Sequence, residues 1–537
     1  MKRSVLSPLL FITAIVLDRV VISSTQIELS QSLRALVILL SSASLAMLIV
    51  QYFIRDWHHT QFIVLMVPLA LITYRSSYRF LKISFPFQAT NLGIGLMLIL
   101  GLLYALLVHR RMWKSVRNPA QVTAYFNLVF LVLLLFQVVR LGRGGFDGFM
   151  NPNHPQASLV PPAGDDPALK KGSSPDIYVI VLDGYARQDV LQDIYGEDNS
   201  EFIDGLEKRG FYVASDSHSN YSMTAYAMAS FWNFEHIQPW DSIPEYEQHL
   251  FQPIQHNRVF HSLDQLGYTT VSFEGELSYT QIKNSDVYLS DFLPLNNFET
   301  LMLVDSPLEP LSNLFELGLP LHTYTAHRQR TLFQLETLKD IPTNIPGPKI
   351  VYAHILAPHP PFVFSQDGTS REPDRPYTLG DDINYENGRE EYMTGYVEQV
   401  RFISREITTV IDSILAKSET PPVIVLMSDH GPASMFNWNF ETPECLWERA
   451  SNLYAILLPE HENDNTLYPS ITPVNTFPVI FNTYFGTNLA FLEDRSYMMA
   501  WQSPKLKLDI TNRRESREGC TIPAEEQLVE NAGILIK

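Results

Sequence analysis

The sequence predicts a bundle of about five transmembrane helices, then an α/β domain with a largely parallel central sheet. Apolar segments of bilayer-crossing length are confined to the first 140 residues. Basic side chains gather in the same part, while the remainder is acidic. After residue 175, short β-branched runs alternate with amphipathic stretches, the pattern of an α/β layer architecture.

The apolar segments lie at about 5–23, 33–54, 61–78, 90–109 and 121–140, each near the roughly 20 residues that cross a bilayer. Asp18 and Arg19 make the first the weakest, and a cleaved signal peptide is its alternative. With Lys2 and Arg3 inside, the cytoplasmic loops also gather Arg55, Arg110, Arg111, Lys114 and Arg117, the side favoured by positive charge. Five spans then put everything after residue 140 outside the cytoplasm, on a multi-pass protein of the plasma or inner membrane.

At 537 residues the chain has room for two to four units. Residues 1–150 hold 14 Lys+Arg and 4 Asp+Glu, which leaves 25 basic and 54 acidic side chains for the other 387 residues. An excess of 29 acidic groups there speaks against nucleic acid as a partner, since phosphate backbones are bound through clustered Lys and Arg. Cys445 and Cys520 have no metal-type spacing; one disulfide and two free thiols both remain open.

The Pro-, Gly- and Ser-rich stretch 151–175 reads as a linker. Expected boundaries are therefore a membrane domain at 1–145, a linker at 146–175, an outer domain at 176–505 and a tail at 506–537. In the outer part, strands are expected at 176–183, 268–274, 349–356, 422–429 and 451–459. "NSEFIDGLEKRG" reads as a helix opened by a capping residue and closed by Gly210. "YMTGYVEQVRFISREITTVIDSILAKS" is a long helix with apolar residues three and four apart. Continuous apolar strands imply a sheet covered on both faces, and such sheets bind ligands beyond the carboxyl ends of their strands.

Those ends carry Asp183 with Gly184, His354 followed by His359, and Asp429 with His430. Adjacent strand residues point to opposite faces, so Asp429 and His430 reach one ion only where the backbone turns, a turn that Gly431-Pro432 can supply. Each piece alone reads first as an ordinary strand-end turn. In "HSNYSMTAYAMASFWN" (218–233), Ser222 or Thr224 stands at a helix start, where N–H groups favour developing negative charge; an ordinary N-cap is the alternative. Arg449 is expected to pair with carboxylates at the surface or with an anionic substrate. The aromatic residues Phe436, Trp438, Phe440 and Trp447 read as core or as a membrane-interface cluster.

The order of these pieces resembles the alkaline phosphatase and sulfatase superfamily. With its N-terminal spans, the whole chain resembles membrane enzymes of the lipoteichoic acid synthase and phosphoethanolamine transferase type. The resemblance implies a sulfatase-like α/β fold and one divalent metal ion (Mn, Mg or Zn) held by Asp183, Thr224, Asp429 and His430, with Thr224 doubling as nucleophile through a phospho-threonine intermediate. His354 and His359 then match histidines that contact the phosphoryl group, with His359 expected to assist catalysis and His354, His359 and Arg449 placed as substrate contacts. The synthases have Glu where this chain has Asp183, which leaves the substrate open. No Asp is followed by a His four positions on, so a second metal site of the superfamily's two-metal type is not expected. No C/S-x-P-x-R pentapeptide occurs, which speaks against formylglycine-dependent sulfate-ester chemistry.

The function expected is transfer of a phospholipid headgroup from a membrane lipid donor to an extracytoplasmic glycan or lipid acceptor. The alternatives are a phosphodiesterase, phosphatase or sulfuric ester hydrolase with water as acceptor, and a non-catalytic membrane scaffold.

Overall fold

This computed structural model describes residues 6–22, 29–69, 118–144, 174–237, 253–290, 299, 324–371, 388–439, 442–459, 466–500 and 503–520. The span expected at 90–109, the third span beyond residue 69, nearly all of the linker and residues 521–537 lie outside the described residues. The chain divides into two compact units, Met1–Ala157 with Leu293–Thr323, and Ser158–Phe292 with Tyr324–Lys537.

In the first unit, helices Ser7–Ile22, Leu29–Ile54, 57–69 and Pro119–Gly144 are described. Of the five expected spans, two are long and apolar enough to cross a membrane among the described residues, Ser32–Ile54 and Pro119–Arg140. The 16 residues of Ser7–Ile22 extend only about 24 Å, short of a hydrocarbon core of about 30 Å. Polar side chains on these helices seek one another: Arg140 pairs with Asp18 at 2.9 Å, and Ser7 Oγ donates to Asn127 Oδ1 at 2.6 Å. Arg34 Nε donates to Glu299 Oε1 at 2.6 Å, which ties the later segment Leu293–Thr323 to this unit.

The second unit is built on a seven-stranded sheet of order β2-β7-β6-β1-β5-β3-β4. Its strands are β1 Ile177–Leu182, β2 Tyr212–Val213, β3 Thr269–Phe273, β4 Val287–Leu289, β5 Lys349–Ile355, β6 Val423–Met427 and β7 Tyr454–Leu457. β4, β3, β5, β1 and β6 run parallel, whereas β7 pairs antiparallel with β6 and β2 antiparallel with β7. Between β6 and β7 the described residues build the turn after Met427 and the five-residue helix Leu446–Ala450, and among them no full helix crosses a sheet face. β7 therefore returns antiparallel, a departure from the mostly parallel pattern. A separate hairpin joins β8 Tyr497–Ala500 to β9 Ser503–Asp509.

β1 shows why its apolar run is unbroken. Ile177, Val179 and Val181 enter one buried layer with helices Thr224–Asn233 and Thr476–Tyr484, while Tyr178, Ile180 and Leu182 enter another with helix Arg389–Lys417. Register places Val181 beside His354 on β5 and beside Met427 on β6, so the three strand ends meet at one edge. β1 lies in the middle of the sheet, paired with β5 on one side and with β6 on the other.

Cys445 and Cys520 form a disulfide. β9 crosses residue 505, and the chain stays attached to the unit as far as Cys520: Cys445 N donates to Glu518 O at 2.5 Å and Trp447 N to Ser516 O at 3.2 Å.

Candidate metal and nucleophile site

β1 ends at Leu182, and Asp183 N donates to Ile355 O of β5 at 3.0 Å, so the carboxylate is held just beyond the sheet. Gly184 follows with φ +72°, the left-handed region where glycine carries no steric cost. The chain bends there, and Gly184 N reaches Asp429 Oδ1 at 3.3 Å.

β6 ends at Met427. The bend that lets neighbouring residues face one point is held by Ser428, whose Oγ accepts from Tyr185 N at 2.8 Å and donates to His430 O at 2.6 Å. Gly431 matters here for space, since its φ is not positive. A Cβ there would stand 2.0 Å from Glu448 O and 2.9 Å from Ser451 O. Helix Leu446–Ala450 thus packs directly on the turn, and Gly431 N donates to Arg449 O at 2.9 Å.

Asp183, Asp429 and His430 form a buried cluster whose ligand atoms lie within 4.8 Å of one another. His430 Nε2 is 3.2 Å from Asp429 Oδ2 and 3.8 Å from Asp183 Oδ1. Neither of those two carboxylate oxygens has a hydrogen-bond partner, although both are buried. A buried polar atom left so costs about 1–3 kcal/mol, which an ion would repay. His430 Nδ1 lies 2.9 Å from Gly431 O, and a carbonyl only accepts, so Nδ1 carries the hydrogen. The basic Nε2 then faces the cluster, the tautomer a ligand needs.

Thr224 opens helix Thr224–Asn233, whose N-cap is Met223. Its hydroxyl therefore caps nothing and instead lies 2.9 Å from His430 Nε2. Ser222, the other hydroxyl in question, accepts from Met499 N through its Oγ and is anchored to β8. Two carboxylates, an imidazole nitrogen and a hydroxyl thus converge, a donor set of hard and borderline character that fits Mg, Mn or Zn.

His354, on β5, presents Nε2 to Asp183 Oδ2 at 3.1 Å, and Tyr352 OH donates to its Nδ1 at 3.3 Å. Burial pushes the Tyr352 hydroxyl well above its usual range, so it stays a neutral donor. His359 arrives from the loop after β5: its N–H donates to Asp183 O at 3.0 Å, and its ring centroid is 6.3 Å from that of His430. Its Nδ1 bonds Pro360 O, which makes Nε2 the basic nitrogen. Of the two histidines, His354 makes the direct bond to the Asp183 side chain.

The expected surface pairing of Arg449 is overturned, for it is 3% exposed. Its Nε donates to Ser222 O and its Nη1 to Gly431 O, each at 2.9 Å, and its Nη2 to His430 Nε2 at 3.1 Å. Glu448 beside it is fully buried and accepts from Tyr195 OH at 2.6 Å and from the backbone of Ser434, Met435 and Phe436. Phe436 and Trp447 are core, Trp438 is partly buried, and Phe440 lies outside the described residues.

The model of the family described as "Sulfatase" matches residues 175–452, just over half of the chain and every residue named above as a site candidate. The chain belongs to the sulfatase family. This sulfatase-family protein is accordingly an enzyme. No curated protein sequence matches it. Among solved structures it is similar to the C-terminal periplasmic domain of EptC from Escherichia coli, at 13% identity and TM-score 0.41, covering 67% of this chain and 98% of that one. It is similar to the integral membrane lipooligosaccharide phosphoethanolamine transferase A from Neisseria meningitidis, at 12% identity and TM-score 0.37, over 76% and 72% of the two chains. Phosphonate monoester hydrolase of Agrobacterium radiobacter is similar at 9% identity and TM-score 0.40, over 67% and 95%. Both cysteines of this chain are consumed by their disulfide, so neither is a formylglycine precursor.

Proposed function

We propose that this protein transfers a phospholipid headgroup through a covalent intermediate on Thr224, using one divalent ion held by Asp183, Thr224, Asp429 and His430. The observation that supports it best is the Thr224 hydroxyl 2.9 Å from His430 Nε2, beside two buried carboxylate oxygens without partners. A divalent ion there would supply the positive charge that makes a hydroxyl acidic and offsets charge on phosphorus-bound oxygens. Thr224 Oγ1 attacks the phosphorus of the lipid phosphodiester as its proton passes to the basic His359 Nε2. The bond from phosphorus to the diacylglycerol oxygen breaks, and that oxygen takes this proton from His359. An acceptor hydroxyl then attacks phosphorus and gives its proton to His359 Nε2, which returns it to the Thr224 oxygen as the ester bond breaks. His354 orients the Asp183 carboxylate. In this reading the two long apolar helices of the first unit are membrane spans that tether the catalytic unit to the bilayer, with that unit outside the cytoplasm and a glycan or lipid hydroxyl as acceptor.

The test uses the full chain in vesicles of phosphatidylethanolamine and phosphatidylglycerol labelled in their headgroups, with and without added sugar alcohols. Wild type should release diacylglycerol and carry one headgroup phosphate by intact mass. Thr224→Ala should lose both while keeping most of its bound metal. Undiminished turnover in that variant would sink the assignment, and products made only with water would favour the hydrolase.

A further inference from the structure

We propose that Arg449 is a positioning residue: its guanidinium ties the nucleophile's loop to the Asp429–His430 turn and thereby sets the distance between Thr224 and His430. The inference rests on Thr224 being the nucleophile. Its bonds fall on both sides of the reacting pair. Ser222, whose carbonyl accepts from Nε, stands two residues before Thr224; Gly431, whose carbonyl accepts from Nη1, follows His430 directly. Nη2 lies 3.1 Å from His430 Nε2, a contact whose lone pair a bound ion would take, so the two main-chain bonds carry the brace.

The two sides belong to different parts of the fold. Thr224 opens a helix in the layer over one sheet face, and His430 follows a strand of the sheet itself. Ser222's backbone N–H and hydroxyl bond Tyr497 and Met499, which fix the loop to β8 but not to the β6 turn. Ser219 N to Ala450 O at 2.7 Å and the bridge between His218 and Ser451 hold the start of the loop to helix Leu446–Ala450, Gly431 N to Arg449 O locks the same helix onto the turn, and the Arg449 side chain adds the cross-link that reaches Ser222 itself.

The residue type suits the task. A planar guanidinium offers several N–H vectors in fixed directions, whereas a lysine ammonium is a compact charge on a flexible stem and cannot hold two separate carbonyls in register. Trp438 lies against the guanidinium, 4.9 Å from its Cζ to the ring centroid, and shields it from water. An arginine that only gripped a phosphate would present its fork to the ligand. Here two nitrogens are given to main-chain carbonyls.

The experiment compares full-length wild type, Arg449→Ala, Arg449→Lys and Thr224→Ala in detergent, with bis(p-nitrophenyl) phosphate as substrate and bound metal measured on each. A displacement of about 1 Å costs on the order of 100-fold, so Arg449→Ala should lose about that factor in kcat, with KM within about threefold. Added guanidinium should restore part of the rate, which a collapsed site would not show. Arg449→Lys should remain on the order of tenfold slow, since charge without the fork does not hold both loops. A raised KM with kcat intact would make Arg449 a substrate contact and overturn the proposal, as would a full rate in Arg449→Lys. If Arg449→Ala fails to fold, the Lys variant alone decides. Thr224→Ala separates the two readings: full turnover there removes the nucleophile assignment, while a dead Thr224→Ala beside a normal Arg449→Ala removes only the brace.

Discussion

Replacing Gly431 with alanine should disable the site without unfolding the sheet. The added Cβ would lie 2.0 Å from Glu448 O and 3.1 Å from Glu448 C, both main-chain atoms of a buried helix. A carbon tolerates a carbonyl oxygen at about 3.3 Å, so the turn or the helix must retreat by roughly 1.3 Å. Such overpacking costs about 1–3 kcal/mol, and a 1 Å shift of reacting groups costs on the order of 100-fold in rate. The retreat also breaks the bond from Gly431 N to Arg449 O and pulls His430 away from Thr224. Turnover of bis(p-nitrophenyl) phosphate should therefore fall on the order of 100-fold, with Tm lower by a few degrees. Gly184→Ala is the control: it has φ +72° but no atom nearer than 3.6 Å, so it pays backbone strain of about 1–2 kcal/mol without a collision. Should Gly431→Ala keep its rate within about twofold, the packing argument is refuted.

Cys445→Ser should destabilise the second unit by about 2–4 kcal/mol, because the bridge closes a long loop across 75 residues of sequence. As Cys445 directly precedes the helix bearing Glu448 and Arg449, reductant should lower activity before it lowers far-UV circular dichroism. Acid should weaken the contact made by Glu515. Burial alone would raise its pKa, but His218 and Arg187 hold it down to about 2. A depressed carboxylate stabilises above its ordinary pKa of 4.5, and that stabilisation fades as pH falls from there toward 2. With half the side chain in solvent, the amount is about 1 kcal/mol. His218, lowered chiefly by burial, acts in the same direction because protonation below its ordinary 6.5 favours the unfolded chain. Thermal melts from pH 7 to pH 3 should show the loss, smaller in Glu515→Gln; identical slopes in both proteins would rule out this contact as a cause.

The candidate site was legible where a strand stops. Asp183, Asp429 and His430 stand at the ends of unbroken apolar runs, and burial on both faces is what makes such runs recognisable. Thr224 was legible as one of two hydroxyls at a helix start; only the anchoring of Ser222 to β8 separates them. Arg449 was misread because "WERAS" is locally polar, and nothing in the local pattern says that a five-residue helix is buried against the turn. Ser428 and Glu448 left no signal, since their work is done through hydrogen bonds to residues far along the chain. The antiparallel β7 and the β8–β9 hairpin were hidden for a related reason: strand direction is set by how a connection is spent, which periodicity does not report. Gly431 was visible, but as a turn residue, whereas its reason is the close approach of another backbone.

The central place of β1 has a consequence for the order of events during biogenesis. Asp183 leaves the ribosome long before Asp429, and each β1 residue meets its β6 partner only after 246 further residues have been made, as from Ile177 to Val423. Pairings so distant in sequence close late in folding. A half-made chain consequently offers Asp183 and Thr224 without His430 and holds no complete ligand set. On the proposed one-metal site, the ion would be selected in whichever compartment residues 177–430 finish folding, by the metals free in that compartment rather than those where synthesis began.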